Sequence, residues 1–96
     1  MKLSNAEVDA RLRSFPGWSR QGDGVRKLFT FKGFPDAIAF VTRLAFDAEA
    51  ADHHPDLQIS YRKVTVIWST HSEGGVTEKD LAGAEQSDRV ASAFPA

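Results

Sequence analysis

The spacing of apolar residues changes twice along this 96-residue chain, and that change limits the folds available to it. In two regions apolar and polar residues alternate, which is typical of half-buried strands. Between them, from Phe34 to about Ala51, apolar residues recur every three or four positions, as they do on one face of a helix. This pattern predicts a sheet with helices packed against it.

Two pairs of strands are predicted, each joined by a tight turn. The first pair spans residues 18–20 and 25–31, with the glycine-rich stretch 21–24 as its turn. The second pair spans residues 57–61 and 64–70, with a turn near Arg62-Lys63. Strands that are joined by hairpins pair in the antiparallel direction.

Three helices are predicted from capping residues and apolar spacing. Ser4 and Glu7 have the spacing of a capping box, so the first helix runs from residue 5 to about residue 14. Thr77 is a candidate N-cap for the last helix, which reaches about residue 93. The expected apolar face of the central helix consists of Phe34, Ile38, Val41, Ala45 and Ala48, and Phe40, Leu44 and Phe46 widen it.

The expected fold is therefore a single α+β domain over residues 1–96. It has a four-stranded antiparallel sheet with three helices on one face, in the order α-β-β-α-β-β-α. A chain this short has little room for a deep cavity, so an active site is expected to be an open groove or to share a wall with a neighbouring subunit.

Composition excludes several classes of function. The absence of cysteine excludes disulfides, thiol catalysis and thiolate zinc sites. A net charge of -1 provides no strong field to attract nucleic acid or an anionic membrane. There is no apolar run of about 20 residues that could span a membrane, and the first residues lack the apolar core of a signal peptide. We therefore expect a cytoplasmic protein.

The densest group of chemically active residues is the stretch from Glu49 to Pro55, which contains Asp52, His53 and His54. His71 is expected to project from the end of a strand. Imidazole is the side chain best suited to exchange protons near neutral pH, so the three histidines suggest acid–base catalysis. Glu49 lies one helical turn before His53 and is predicted to orient it.

Structural explanations exist for several of these residues. Polar residues gather at helix ends as caps, and Asp80 in a first turn would interact with free backbone N–H groups in any protein. Trp18 and Trp68 are expected in the core or in an interface. A metal site is a further alternative, although adjacent histidines usually point in different directions and a zinc-binding helix places its histidines on one face.

The order and spacing of Glu49, His53-His54-Pro55, Tyr61, His71 and Asp80 resemble the signature of the pterin-4a-carbinolamine dehydratases. The similarity extends over roughly residues 18–88 and includes Trp18, residues 29–34, residues 41–43, Thr70 and residues 74–77. This resemblance implies a dehydratase that converts 4a-hydroxytetrahydropterin to quinonoid dihydropterin and water. Such an enzyme recycles the cofactor of aromatic amino-acid hydroxylases.

The resemblance also implies site residues and partners. His54 and His71 would be the main acid and base, and His53 would contact the hydroxyl or the ring. Asp52 belongs to the same signature stretch, Glu49 and Asp80 would orient imidazoles, and the pterin pocket would be lined by Pro55, Thr70, Ser72 and Glu73. No metal and no cofactor are implied. The partners would be a small-molecule pterin and further copies of the chain in a homodimer or homotetramer, without direct binding of nucleic acid or membrane.

Two positions depart from the family pattern. Leu57 stands where many members have tryptophan, and Ser72 stands where an acidic residue is usual. Both departures bear on substrate affinity more than on the reaction. The alternative function is that of a non-catalytic dimerisation or assembly cofactor that binds a protein partner, as in some members of the family.

Overall fold

The computed structural model describes residues 1–96 and contains three α-helices and four strands. The elements are α1 (Asn5–Leu12), β1 (Ser19–Gln21), β2 (Gly24–Thr30), α2 (Phe34–Ala51), β3 (Asp56–Ser60), β4 (Lys63–Trp68), a 3₁₀ turn (His71–Glu73) and α3 (Glu78–Ala91). The predicted order α-β-β-α-β-β-α is confirmed. None of the helices is both long and apolar enough to cross a membrane.

The four strands form one antiparallel sheet in the order β1-β2-β4-β3, which confirms the predicted sheet. Helix α2 carries the chain from β2 past β4, so that β3 pairs at the far edge and β4 lies in the centre. The chain leaves β4 at Trp68, and the residues that follow this central strand are therefore placed beside both α2 and α3.

Burial alternates along β4, as expected for a sheet that is covered on one side, and β2 buries residues near its start and its end. Val25 and Phe29 of β2 and Val64, Val66 and Trp68 of β4 are buried. The intervening residues of β2 and β4 are half-buried or exposed, and Leu28 is 46% exposed. Helices α2 and α3 contact β4, and α3 also contacts β2.

The expected apolar face of α2 is wrong in detail. The buried residues of this helix are Ala37, Phe40, Leu44 and Ala48, whereas Phe34 and Ile38 are exposed. Both sets of residues have helical spacing, and the set that contains Phe40 is the one that packs against the sheet. The ring of Phe40 lies 5.0 Å from that of Phe29 and 4.9 Å from that of Phe31, so it fills the space between strand and helix.

Several element ends differ from the sequence prediction by a few residues. Helix α1 ends at Leu12 and α3 ends at Ala91, because their last turns continue as isolated turns rather than as helix. Strand β4 ends at Trp68 because Thr70 pairs instead with Gly75, in an isolated bridge that closes the loop over the 3₁₀ turn.

Candidate active site

The way in which α2 ends places the two adjacent histidine side chains in different environments. Asp52 adopts the left-handed conformation (φ 52°, ψ 41°), and its backbone N–H donates to the carbonyl oxygens of Ala48 and Glu49. This terminates the helix at Ala51, so that only Asp52 lies between the helix and the His-His pair. His53 and His54 therefore lie beyond the end of the helix, and their side chains contact different residues.

His53 is held on its ring face and at one ring nitrogen. Its ring stacks on that of Trp68, with 5.4 Å between centroids and 22° between planes. Its Nε2 lies 2.6 Å from Oδ1 of Asp80, and only 15% of the His53 side chain is exposed. This imidazole is therefore the most rigidly oriented one among the three histidines.

Asp80 is completely buried and serves two purposes. It occupies the third position of α3, where its Oδ2 accepts the backbone N–H of Thr77 at 2.9 Å and completes a capping box. The same oxygen accepts the hydroxyl of Thr70 at 2.8 Å, while Oδ1 faces His53. Asp80 therefore caps α3 and at the same time lies beside the ring of His53.

Glu49 pairs with His54 and not with His53, which corrects the sequence prediction. Its Oε1 lies 2.7 Å from Nε2 of His54, in a pair whose side chains are 80% and 57% exposed. The prediction assumed that the helical turn continues through His53. Because Asp52 reverses the chain, His54 rather than His53 comes back over Glu49.

His71 opens the 3₁₀ turn that follows β4. Gly74 ends this turn in the left-handed conformation (φ 73°), and its backbone N–H donates to the carbonyl of His71. The His71 side chain is exposed and forms no hydrogen bond or ion pair with another protein group.

One open groove of about 280 Å³ brings all three histidines together. Its lining residues are Asp52, His53, His54, Ser69, Thr70, His71, Ser72 and Lys79. Four of the predicted residues do not line this groove. Glu49 and Asp80 lie behind His54 and His53, and Pro55 does not line the groove. Glu73 lies in an adjoining groove of about 270 Å³ that shares Thr70, Ser72 and Lys79.

Ser69 and Lys79 were not predicted from the sequence. Lys79 follows the N-cap Thr77 by two residues, and the first turn of α3 faces the end of β4. The proximity of a helix start to a strand end is a tertiary feature, although the position of Lys79 next to Asp80 was a usable signal. Lys79 also has no carboxylate partner within ion-pair distance.

A larger groove of about 470 Å³ lies on the other side of His53, between α2 and α3. It is mainly apolar and is lined in part by Leu44, Ala48, Trp68 and Gly83. His53 and Lys79 belong to both grooves. No group of three or more His, Asp or Glu side chains is arranged to hold a metal ion.

Comparisons with known proteins agree on one family. The family model for pterin 4 alpha carbinolamine dehydratase matches residues 1–90. A protein of Roseiflexus sp. (strain RS-1) is 52% identical over 89 residues, which is 93% of this chain and 96% of its own length. A protein of Mycobacteroides abscessus is 51% identical over 86 residues, 90% of this chain and 92% of its own length. Both relatives bear the name "Putative pterin-4-alpha-carbinolamine dehydratase".

Two solved structures share the fold. A transcriptional coactivator/pterin dehydratase from Brucella melitensis superposes with a TM-score of 0.91 at 35% identity, covering 95% of this chain and 99% of that one. A pterin dehydratase-like protein described as a RuBisCO assembly factor of the alpha-carboxysome has a TM-score of 0.64 and covers 77% of this chain and 86% of that one. At 21% identity it shows the fold alone. By the match over residues 1–90 and by these relatives, the chain belongs to the pterin 4 alpha carbinolamine dehydratase family.

Proposed function

We propose that this protein dehydrates 4a-hydroxytetrahydropterin to quinonoid dihydropterin and water, and so recycles the cofactor of aromatic amino-acid hydroxylases. The observation that carries the proposal is the single groove that contains His53, His54 and His71. Three imidazoles in one open groove offer both a proton donor and a proton acceptor near neutral pH.

The reaction requires two proton transfers. The C4a–O bond breaks as a proton is delivered to the departing hydroxyl, which leaves as water. The neighbouring N5–H gives its proton to a base, and its electron pair forms the C4a=N5 bond. We assign the main acid and base to His54 and His71, with His53 in contact with the hydroxyl or the ring. Each positioned proton transfer typically accelerates such a step by about 10²–10⁴-fold.

The carboxylates would control the imidazoles rather than touch the substrate. Glu49 accepts from His54 in a solvent-exposed pair, so His54 is free to change orientation when substrate enters. Asp80 holds His53 from the buried side. Thr70, Ser72 and Asp52 line the groove and are proposed to bind the pterin, and Pro55 and Glu73 would flank it.

The groove favours a site that is shared between subunits. Sites for drug-sized ligands usually enclose about 300–1,000 Å³, and the histidine groove of about 280 Å³ is open and below that range. We therefore propose that a second copy of the chain supplies a further wall in a homodimer or homotetramer. Of the two departures from the family pattern, Ser72 lines the groove, whereas Leu57 packs against the core. Ser72 is thus the one expected to alter affinity.

The decisive experiment uses freshly generated 4a-hydroxytetrahydropterin and follows the absorbance of the quinonoid product. Wild-type protein is expected to accelerate the dehydration, and a His54→Ala, His71→Ala double variant is expected to lose at least about 10²-fold in kcat. Gln58→Ala, on the exposed edge strand β3, is the matched control and should retain full activity. A folded double variant with wild-type kcat would disprove the assignment of acid and base.

A protein-binding role is the second candidate. The Brucella melitensis relative, at 35% identity, is named both a transcriptional coactivator and a pterin dehydratase. Exposed apolar side chains such as Phe46, at 72%, offer a surface for a protein partner. If the wild-type protein gives no acceleration and binds one protein at a stoichiometric ratio, the non-catalytic role replaces the proposed one.

A further inference from the structure

The hydrogen bonds of Asp80 determine where protons lie in the buried cluster that it forms with Thr70 and Thr77. Asp80 is a carboxylate at the N-terminus of α3, where the helix dipole favours negative charge. A carboxylate only accepts hydrogen bonds. The hydroxyl of Thr70 must therefore donate to Oδ2 of Asp80, at 2.8 Å.

The direction of the next bond follows. A threonine hydroxyl has a single proton, and Thr70 uses it for Asp80. The 2.8 Å bond between the two hydroxyls therefore has Thr77 as its donor. The Thr77 oxygen in turn accepts the backbone N–H of Lys79 at 3.2 Å. The cluster forms a chain in which each hydroxyl proton points toward Asp80, and none of its buried side-chain polar atoms lacks a partner.

The same reasoning fixes the protonation of one nitrogen of His53. Oδ1 of Asp80 lies 2.6 Å from Nε2 and cannot donate, so Nε2 carries the hydrogen. Trp68 stacks on one face of the same ring. Nδ1 has no hydrogen-bond partner in the protein. In the neutral imidazole, Nδ1 therefore carries the lone pair.

We infer that Thr70 and Thr77 are positioning residues that, through Asp80, hold His53 in the Nε2–H tautomer and leave its Nδ1 as the basic atom for the substrate. Neutral His53 then accepts a proton at Nδ1 and cannot donate one there. The resulting imidazolium is stabilised by the buried carboxylate, as in other His–Asp pairs. His53 is thus a further proton acceptor beside the main pair of His54 and His71. That it meets the hydroxyl or the ring of a pterin rests on the proposed function, whereas the tautomer is a property of the free protein.

The tautomer is measured directly on ¹⁵N-labelled protein by long-range ¹H–¹⁵N correlation NMR. The chain has three histidines, so His54→Asn and His71→Asn variants assign the signals of His53 by elimination. The expected result is the Nε2–H tautomer of neutral His53. A neutral His53 found as the Nδ1–H tautomer would overturn the inference, whatever the activity of the protein.

Kinetics test the two hydroxyls. Thr77→Val preserves the side-chain shape and removes the proton that Thr77 donates to Thr70. We expect kcat to fall by about 3- to 10-fold, the effect of one net hydrogen bond, with KM unchanged. Thr77→Ser restores the hydroxyl and is expected to restore kcat. The spectrum of Thr77→Val should also show His53 as a mixture of tautomers.

Ser4→Ala is the matched control, because Ser4 forms the equivalent capping box at the start of α1, outside the histidine groove. It is expected to lower Tm and leave kcat at the wild-type value. A folded Thr77→Val variant with full kcat would contradict the inference. If that variant does not fold, the tautomer measured on wild-type protein decides. Wild-type protein with the Nε2–H tautomer and no dehydratase activity would reject the proposed function and leave the tautomer assignment intact.

Discussion

His53 and His54 are adjacent in sequence and each faces a carboxylate, but the two pairs have different physical properties. The His53–Asp80 pair is 15% and 0% exposed, whereas the His54–Glu49 pair is 57% and 80% exposed. Water screens the exposed pair and competes for its hydrogen bonds, so it restrains His54 only weakly. The site therefore combines one fixed imidazole with one that can move.

Gly83 packs so closely against Trp68 that a larger side chain at this position is predicted to reduce stability. A Cβ built at this position would lie 2.5–2.7 Å from three ring atoms of Trp68, and this ring is also held by its Nε1–H bond to Ser87. Overpacking of this kind costs about 1–3 kcal/mol, against about 1 kcal/mol that alanine gains over glycine in a helix. We expect Gly83→Ala to lower the free energy of unfolding by about 1 kcal/mol, the balance of these two effects, measured by urea denaturation.

Ala82→Ser is the control for that experiment, because it enlarges the exposed neighbouring side chain in the same helix. Its effect should stay within about 0.5 kcal/mol. Because Trp68 stacks on His53, Gly83→Ala should also change the His53 NMR signals. Unchanged stability in Gly83→Ala would mean that Trp68 can move away from α3.

At the scale of elements, α1 is attached to the rest of the molecule by the buried side chain of Val8, by Leu12 at the edge of the core, and by exposed charged pairs. Arg11 donates to Glu78 of α3, and Arg20 of β1 donates to Asp9. The hydrogen bond from Arg20 lowers the pKa of Asp9, and that from Arg11 lowers the pKa of Glu78. The Ser4 backbone N–H lowers the pKa of Glu7 in the same way.

These shifts predict that α1 loosens in acid before the sheet does. A carboxyl group with a lowered pKa in the folded state stabilises the fold above its ordinary pKa, which is 4.5 for glutamate and 3.8 for aspartate. That stability is lost as the pH falls below these values through the folded pKa. Amide chemical shifts of α1 are expected to move toward random-coil values between about pH 4.5 and pH 2.5, while those of β4 stay constant.

Glu78→Gln should weaken this pH dependence, because it removes one of the titrating partners of α1. Glu85→Gln changes the same type of residue on α3 at a position paired with Arg89, and it should leave the α1 transition unaltered. Simultaneous loss of α1 and β4 signals would show that α1 is not a separate unit.

The sequence predicted the elements well because hairpins, proline and capping residues are local signals. Ser4, Pro35 and Thr77 mark the helix starts found in the structure. The sequence did not predict which face of α2 is buried. The pair Phe34 and Ile38 and the pair Phe40 and Leu44 both have helical spacing, and only packing against the sheet determines that the second pair is buried. The partner of Glu49 was also missed, since it depends on the left-handed conformation of Asp52.

At the scale of the whole molecule, large apolar side chains remain on the surface. Phe34, Ile38, Phe46, Leu28, Ile59 and Tyr61 are between 37% and 72% exposed. Contiguous exposed apolar patches usually mark interaction surfaces, and Phe34 and Ile38 lie one helical turn apart on α2. We therefore expect a homodimer or homotetramer, to be measured by sedimentation equilibrium against the 10.6 kDa mass of one chain.

The variant that tests this expectation is Ile38→Glu, which places a charge on the exposed face of α2. If α2 forms an interface, this change should reduce the measured mass. Arg43→Glu introduces the same side chain at an exposed position of the same helix and should change the mass less. A wild-type protein that sediments at 10.6 kDa would contradict the expected assembly.

Asp80 caps the start of the last helix and also holds His53, and this double role couples catalysis to folding. A chain in which α3 has not yet formed lacks the ordered carboxylate, the Thr77 amide and the Thr70 contact together. Its histidines would be present in the sequence without a defined tautomer at His53. Partly folded molecules are therefore expected to be inactive rather than weakly active. The measured turnover rate would then be proportional to the number of completely folded molecules.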